Sequence, residues 1–340
     1  MNPQVDPVLS VDKLVTSFHT DRGVFRAVDD VSFTVPAGGK VGLVGESGSG
    51  KTATALSIMR LIDEPSGRIE AGHVLLEGRD LGALPEREMR RVRGDRIAMV
   101  FQEPMTSLNP VMTVGAQIVE TIRAHRPVSR AKARAQAIEL LRRVGIPAPR
   151  TRVDAWPHQL SGGMRQRVMI AIALSCSPRV LIADEPTTAL DVTVQAQVLE
   201  LLEEARLEAG TATLLISHDL AVVASFAEQV VVMYAGTVVE RGGVREVFHR
   251  AGHPYTRALL EGAAAMTSDE AAAGSTAPFQ PRKLPTLPGR APDRVALPRG
   301  CRFQDRCSLV FDRCREQEPG LRRISEGHDA RCWLVGDDAS

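Results

Sequence analysis

Residues 40–52 read KVGLVGESGSGKT, an apolar run that breaks into glycines and closes on a lysine and a threonine. Few short features limit a chain more. Lys40 to Gly45 reads as a strand, and Thr52 to Ile62 (TATALSIMRLI) as a helix ended by Pro65-Ser66-Gly67. Gly45 to Thr52 fits GxxxxGK[ST] at every required position, and a strand before it with a helix after it is the context of a phosphate-binding loop. In such a loop Gly45 opens the turn, and backbone N–H groups of Ser47, Gly48, Ser49, Gly50, Lys51 and Thr52 surround a β-phosphate. Lys51 then bridges β- and γ-oxygens and Thr52 offers its hydroxyl to Mg²⁺. The expected ligands are a nucleoside triphosphate and Mg²⁺.

The remaining apolar runs extend this unit into an α/β fold. Val31 to Val35, Arg96 to Gln102, Arg179 to Asp184, Thr211 to Ser217 and Gln229 to Tyr234 read as strands, the last three as continuous runs covered on both faces of a mainly parallel sheet. Residues 104–175 read as a mainly helical subdomain, with Ser129 capping a helix that Gly145 terminates. The basic residues of that helix read as a solvated face. Residues 261–285, rich in Ala, Gly, Ser, Thr and Pro, read as a flexible linker between a unit at 1–260 and a small cysteine-bearing module at 286–340.

Composition excludes some classes. Lys plus Arg number 42 against 41 Asp plus Glu, so the broad positive field that nucleic acid requires is missing. No stretch approaches the ~20 apolar residues of a membrane span, and the N-terminus lacks a secretory pattern. A cytosolic chain is expected, with membrane association coming through a partner.

Three further segments carry chemistry. Asp184 ends an apolar strand, from where a carboxylate can reach Mg²⁺, and Glu185 follows at once. Adjacent strand residues face opposite ways, so Asp184 is assigned to the metal and Glu185 to polarising the attacking water as general base. His218, after the next strand, can bond the γ-phosphate or orient that water. In Leu160 to Gln166 (LSGGMRQ) Ser161 supplies a hydroxyl, Gly162 and Gly163 let the backbone approach an anion, and the helix through Gln166 points its positive end at the charge. A second phosphate cradle is redundant in a monomer. It has a use if it serves a γ-phosphate held by another subunit.

In this order the motifs closely resemble the nucleotide-binding subunit of an ATP-binding cassette transporter. The resemblance implies an ATPase fold with a mainly parallel sheet plus antiparallel β and helical subdomains. It implies that Gln102 contacts Mg²⁺ or water and senses membrane subunits, that Ala189-Leu190-Asp191 forms a loop with Asp191 facing the partner's site, and that an upstream aromatic, Phe18 or else Phe25, stacks on adenine. Three stretches, FQEPMTSLNP (Phe101 to Pro110), DEPTTALDVTVQAQ (Asp184 to Gln197) and GHPYTRALL (Gly252 to Leu260), narrow it to the dipeptide and oligopeptide importers, with nickel, glutathione and antibiotic-peptide importers sharing them. The implied partners are a second ATPase subunit, two transmembrane permeases and an extracytoplasmic binding protein, at the cytoplasmic face of the membrane. Membrane-subunit helices would dock near Glu103 to Asn109. A soluble cassette ATPase acting on ribosomes or DNA is the rival, but tandem cassettes and a long coiled coil are missing from the sequence. A non-catalytic regulatory subunit would lack Glu185 or His218.

Cys301, Cys307, Cys314 and Cys332 crowd the last 40 residues, in a spacing that matches no paired CxxC zinc pattern. Four thiolates can close one site, and similar proteins in this subunit class carry a 4Fe-4S cluster there. That is the expected ligand, with structural zinc and reduced, unliganded cysteines as alternatives. Cys176 reads as a small buried residue.

Overall fold

The computed structural model describes residues 6–103, 107–188, 191–272, 287 and 289–336. A long hairpin, β1 (Pro7–Thr20) and β2 (Gly23–Pro36), leads into β3 (Lys40–Val44), the phosphate loop and α1 (Lys51–Ile58). β4 (Gly67–Leu76) and β5 (Arg79–Asp80) return to the hairpin and complete a four-stranded antiparallel sheet in the order β2-β1-β4-β5. After α2 (Glu86–Val92) and β6 (Ile97–Val100) comes the helical region, α3 (Val114–His125), α4 (Arg130–Arg143), α5 (Pro149–Arg152) and α6 (Gly162–Leu174). The chain then alternates through β7 (Val180–Asp184), α7 (Val192–Ala209), β8 (Ala212–Ser217), α8 (Leu220–Phe226), β9 (Gln229–Tyr234) and β10 (Thr237–Gly243). It ends with α9 (Val244–His249), α10 (Pro254–Ala272), α11 (Asp312–Glu316), β11 (Arg322–Ser325) and β12 (His328–Ala330).

The larger sheet runs β11-β12-β10-β9-β3-β8-β7-β6, with β9, β3, β8, β7 and β6 all parallel. Its apolar runs alternate between two cores, as the pleat requires. Val41, Leu43, Ile182, Leu214, Ile216 and Val231 face the antiparallel sheet. Val44, Leu181, Ala183, Leu215, Val230 and Val232 face the helices. The α/β expectation and the parallel sheet are both met. Ser129 caps α4 by accepting from the Lys132 amide, and Gly145, at φ 71°, ends the turn that follows it.

Two expectations shift. The helix after the phosphate loop stops at Ile58 rather than Ile62, because Arg60 takes φ 51° and Arg93 donates to the carbonyls of Met59 and Arg60. The expected linker begins inside a helix, since α10 continues to Ala272; residues 273–286 lie outside the described residues. Beyond them the C-terminal segment is sewn into the main sheet. β12 pairs antiparallel with β10, Glu240 opposite Ala330 and Arg241 opposite Asp329.

Candidate nucleotide site

The phosphate loop leaves the carboxyl end of β3 between two crowding carbonyls. A Cβ at Gly45 would lie 2.2 Å from the Met233 carbonyl oxygen, and one at Gly50 2.4 Å from that of Ala27, so both positions demand glycine. Lys51 folds back over the loop, its Nζ donating to the carbonyls of Gly45 (2.7 Å) and Glu46 (3.1 Å). Burial lowers the Lys51 pKa, against the opposing pull of Glu185, Asp184 and Glu46. Its ammonium is therefore held next to an excess of negative charge.

Asp184, at the end of β7, is buried, and among the described residues neither carboxylate oxygen has a hydrogen-bond partner of ordinary geometry. Burial, with Glu185 adding to it, pushes its pKa up to about 6, while the Thr52 hydroxyl and Lys51 pull the other way. An orphaned, buried, acidic oxygen pair beside a Thr hydroxyl is a donor set suited to a hard divalent cation, so Mg²⁺ fits Asp184 and Thr52. Gln102 reaches the same corner but spends its amide on Glu185, Nε2 donating to Oε2 at 3.1 Å.

Glu185 is where the predicted residues converge. Thr188 donates to Oε2 at 2.9 Å, and His218 Nδ1 lies 3.2 Å from Oε1. The separation of Glu185 from Asp184 does not come from the pleat. β7 has ended, and Glu185 takes φ 46° with its amide bonded to the Ile216 carbonyl, which turns its side chain to the mouth of the site. Gln102 and Thr188 donate to the carboxylate and hold its orientation.

Ser161 caps α6, its hydroxyl accepting from the Met164 amide at 3.3 Å. Ser161 and Gly162 are exposed. A Cβ at Gly162 would meet nothing within 4 Å, and one at Gly163 only a Val194 methyl at 3.5 Å. Among the described residues no contact requires glycine there. Gln166 is buried on α6, its amide nitrogen without a hydrogen-bond partner among the described residues. Asp191 caps α7, accepting from Val194 at 3.0 Å, so the N-termini of α6 and α7 meet at Val194; Ala189 and Leu190 lie outside the described residues. Phe18 and Phe25 are partners across the hairpin, stacked with ring centroids 5.8 Å apart, so the two candidates for adenine form one aromatic pair.

Cys301, Cys307, Cys314 and Cys332 are free thiols that line a single cleft with Phe303, Pro319 and Trp333. Burial raises the thiol pKa values of Cys307 and Cys332 and pushes that of Cys301 up to about 12. Among the described residues no three His, Cys, Asp or Glu side chains are arranged to hold a metal ion, so neither the zinc nor the iron-sulfur expectation is met by a preformed ligand group. Cys176 is buried as expected. Among the described residues no helix is long and apolar enough to cross a membrane.

Sequence reasoning missed the contacts that reach the loop from far along the chain. The Glu46 amide donates to the Tyr255 hydroxyl at 2.8 Å, and the Glu46 carboxylate pairs with Arg306 through both oxygens at 2.8 and 2.9 Å. No local pattern signals either one. Tyr255 does lie within GHPYTRALL, whose role the residues alone did not reveal.

Comparison with known proteins gives this geometry its context. The family described as ABC transporter matches residues 28–188, and the oligopeptide/dipeptide transporter C-terminal region matches residues 239–314. The chain is 48% identical over 332 residues to the dipeptide transport ATP-binding protein of Escherichia coli (strain K12), covering 98% of each. It is 46% identical to the oligopeptide transport ATP-binding protein of Bacillus subtilis (strain 168), covering 99% of this chain and 91% of that one. Among solved structures it resembles an ATP-binding cassette captured as a dimer in a post-hydrolysis state with ADP and phosphate. There the TM-score is 0.64 at 26% identity, covering 70% of this chain and 99% of that one. With a complete phosphate loop, an acidic strand end and a helix-capping SGG segment in one fold, the chain belongs to the ATPase subunits of the ABC transporter family, in the branch that carries the oligopeptide/dipeptide transporter C-terminal region.

Proposed function

We propose that this chain hydrolyses ATP to drive import of dipeptides or oligopeptides, at the cytoplasmic face of a membrane and as part of a larger assembly. The observation that carries the enzymatic assignment is the convergence of Gln102, Thr188 and His218 on the Glu185 carboxylate. Glu185 is the general base that polarises the attacking water, and His218 holds that water or the γ-phosphate in line. Lys51 and the loop amides grip the phosphates; Asp184 and Thr52 would hold Mg²⁺, which neutralises charge on the β- and γ-oxygens. The Phe18 and Phe25 pair supplies an aromatic face for adenine.

Ser161, Gly162 and Gly163, with Gln166 behind them and Asp191 alongside, face outward to the ATP of a second ATPase subunit. The open space at Gly162, where a Cβ would meet no described residue within 4 Å, supports this by leaving the backbone N–H groups accessible. Two permeases and an extracytoplasmic binding protein complete the assembly, and the relatives named for dipeptide and oligopeptide transport support peptides as cargo. Glu185→Gln should keep ATP binding and lower hydrolysis by the assembled complex about 100-fold or more; ordinary turnover would refute the base assignment. Uptake of labelled dipeptides and longer peptides by vesicles holding the complex, with nickel as competitor, tests the cargo.

For the four cysteines the 4Fe-4S cluster is kept as the reading to test, supported by four thiols that line one cleft. Anaerobically purified protein should contain iron and absorb at about 400 nm. A colourless sample loaded with zinc would exclude it.

A further inference from the structure

The phosphate loop contains an acid. Glu46 sits one residue into a loop built to bind polyanions, and its charge acts on the Lys51 ammonium that the phosphates need. Left free, that carboxylate would compete for Lys51 and repel the β- and γ-phosphates. We propose that Arg306, from the C-terminal segment, is a positioning residue for ATP binding, holding the Glu46 carboxylate away from Lys51 and fixing the first turn of the loop.

The geometry is that of a fixed clamp rather than a surface ion pair. Arg306 meets both Glu46 oxygens in the bidentate arrangement that planar guanidinium favours, and its own side chain is only 6% exposed. It is held in turn by aromatic rings. Its guanidinium lies 5.8 Å from the Tyr234 ring centroid and 6.0 Å from that of Phe303, and it also donates to the Tyr234 hydroxyl. The Tyr255 hydroxyl accepts from the Glu46 amide, so backbone and side chain of one loop residue are both fixed from the C-terminal half. Two more arginines grip the same neighbourhood. Arg302 pairs with Asp29 and donates to the Ala235 carbonyl, while Arg294 donates to the Ala27 carbonyl that crowds Gly50.

Because Arg306 immediately precedes Cys307 and follows Cys301 and Phe303, the geometry of the cysteine cleft and that of the phosphate loop are set by one short turn. The inference rests on the reading of Gly45 to Thr52 as the ATP site, so Lys51→Ala serves as its control: it must abolish nucleotide binding whatever Arg306 does.

The test is a double-mutant cycle on the full-length chain in the assembled transporter, with Glu46→Gln, Arg306→Met and the pair, reading KM for ATP, kcat and thermal stability. Arg306→Met should raise KM for ATP about tenfold with kcat within about twofold, and adding Glu46→Gln should restore most of the loss, since the unpaired carboxylate is the cause. Arg306→Lys keeps the charge but not the fork, and should give an intermediate KM in a stably folded protein. Additive effects in the cycle, or an unchanged KM in Arg306→Lys and Arg306→Met alongside a lowered melting temperature, would overturn the proposal and leave Arg306 purely structural. Wild-type-like ATP binding in Lys51→Ala would instead refute the assignment of the site itself.

Discussion

Asp184 is stabilised by very little within this chain. Its oxygens are buried with no hydrogen bond of ordinary geometry among the described residues, and the pKa of about 6 reflects mainly that desolvation, with Thr52 and Lys51 opposing it. The sign of the resulting pH dependence follows. The folded pKa lies above the ordinary value of 3.8, so the native state holds a proton that the unfolded state has lost, and nucleotide-free stability falls as pH rises from 3.8 towards about 6. Asp184→Asn should remove that decline and melt higher than wild type at neutral pH in the absence of ligand. Bound Mg²⁺ needs the ionised form, so Mg²⁺-dependent ATP binding should weaken as pH drops below about 6, and calorimetric titration at two pH values measures it. The residues of this site were legible in the sequence because their chemistry is local: a strand end, a loop and a helix start fix Lys51, Thr52 and Asp184 within single motifs. Arg306 was illegible for the opposite reason, since it is 260 residues from Glu46 and only the fold brings them together.

At the level of elements, β10 and β12 are joined by more than their ladder. Glu240, fully buried on β10, accepts from the amides of Gly252 and His253 and bonds His328 Nε2 on β12 at 2.7 Å. Burial pushes the pKa of His253 down to about 3, keeping the ring neutral, and its Nδ1 accepts from the Tyr255 amide. These contacts fix the start of α10, and with it the tyrosine that bonds the phosphate loop. His328→Ala leaves the Glu240 carboxylate buried with one partner fewer. It should cost about 3 kcal/mol of stability, read by denaturant unfolding, and should loosen the C-terminal segment to proteolysis before the rest of the chain. An unchanged midpoint would remove the clasp. Strands with continuous apolar runs were readable one by one, but the joining of β12 to β10 was not, because a three-residue strand with little apolar content carries almost no periodic signal. The early end of α1 has the same character: Arg93 closes it from 33 residues away.

As a whole molecule, the chain carries one phosphate loop with its acidic strand end and, on the proposed function, the outward half of a second site. The two SGG glycines are the place where a monomer and an assembly make opposite demands. Within this chain Gly162 lies at the first turn of α6, takes no left-handed conformation, and leaves open space where a Cβ would go. A larger residue there should be neutral for folding or stabilising by up to about 1 kcal/mol, since glycine gives up the most backbone entropy on entering a helix. On the proposed function, a second subunit's γ-phosphate approaches backbone N–H groups at the helix N-terminus through that open space, and any side chain would hold it off. Gly162→Leu should therefore melt no lower than wild type and bind ATP at its own phosphate loop normally. Hydrolysis by the assembled complex, and nucleotide-driven association of the two ATPase subunits, should drop about 100-fold. Melting curves, nucleotide titration of the isolated chain and turnover of the complex separate the two demands. Loss of stability would place the glycine's role in the fold, and full turnover would deny the outward cradle a partner's phosphate.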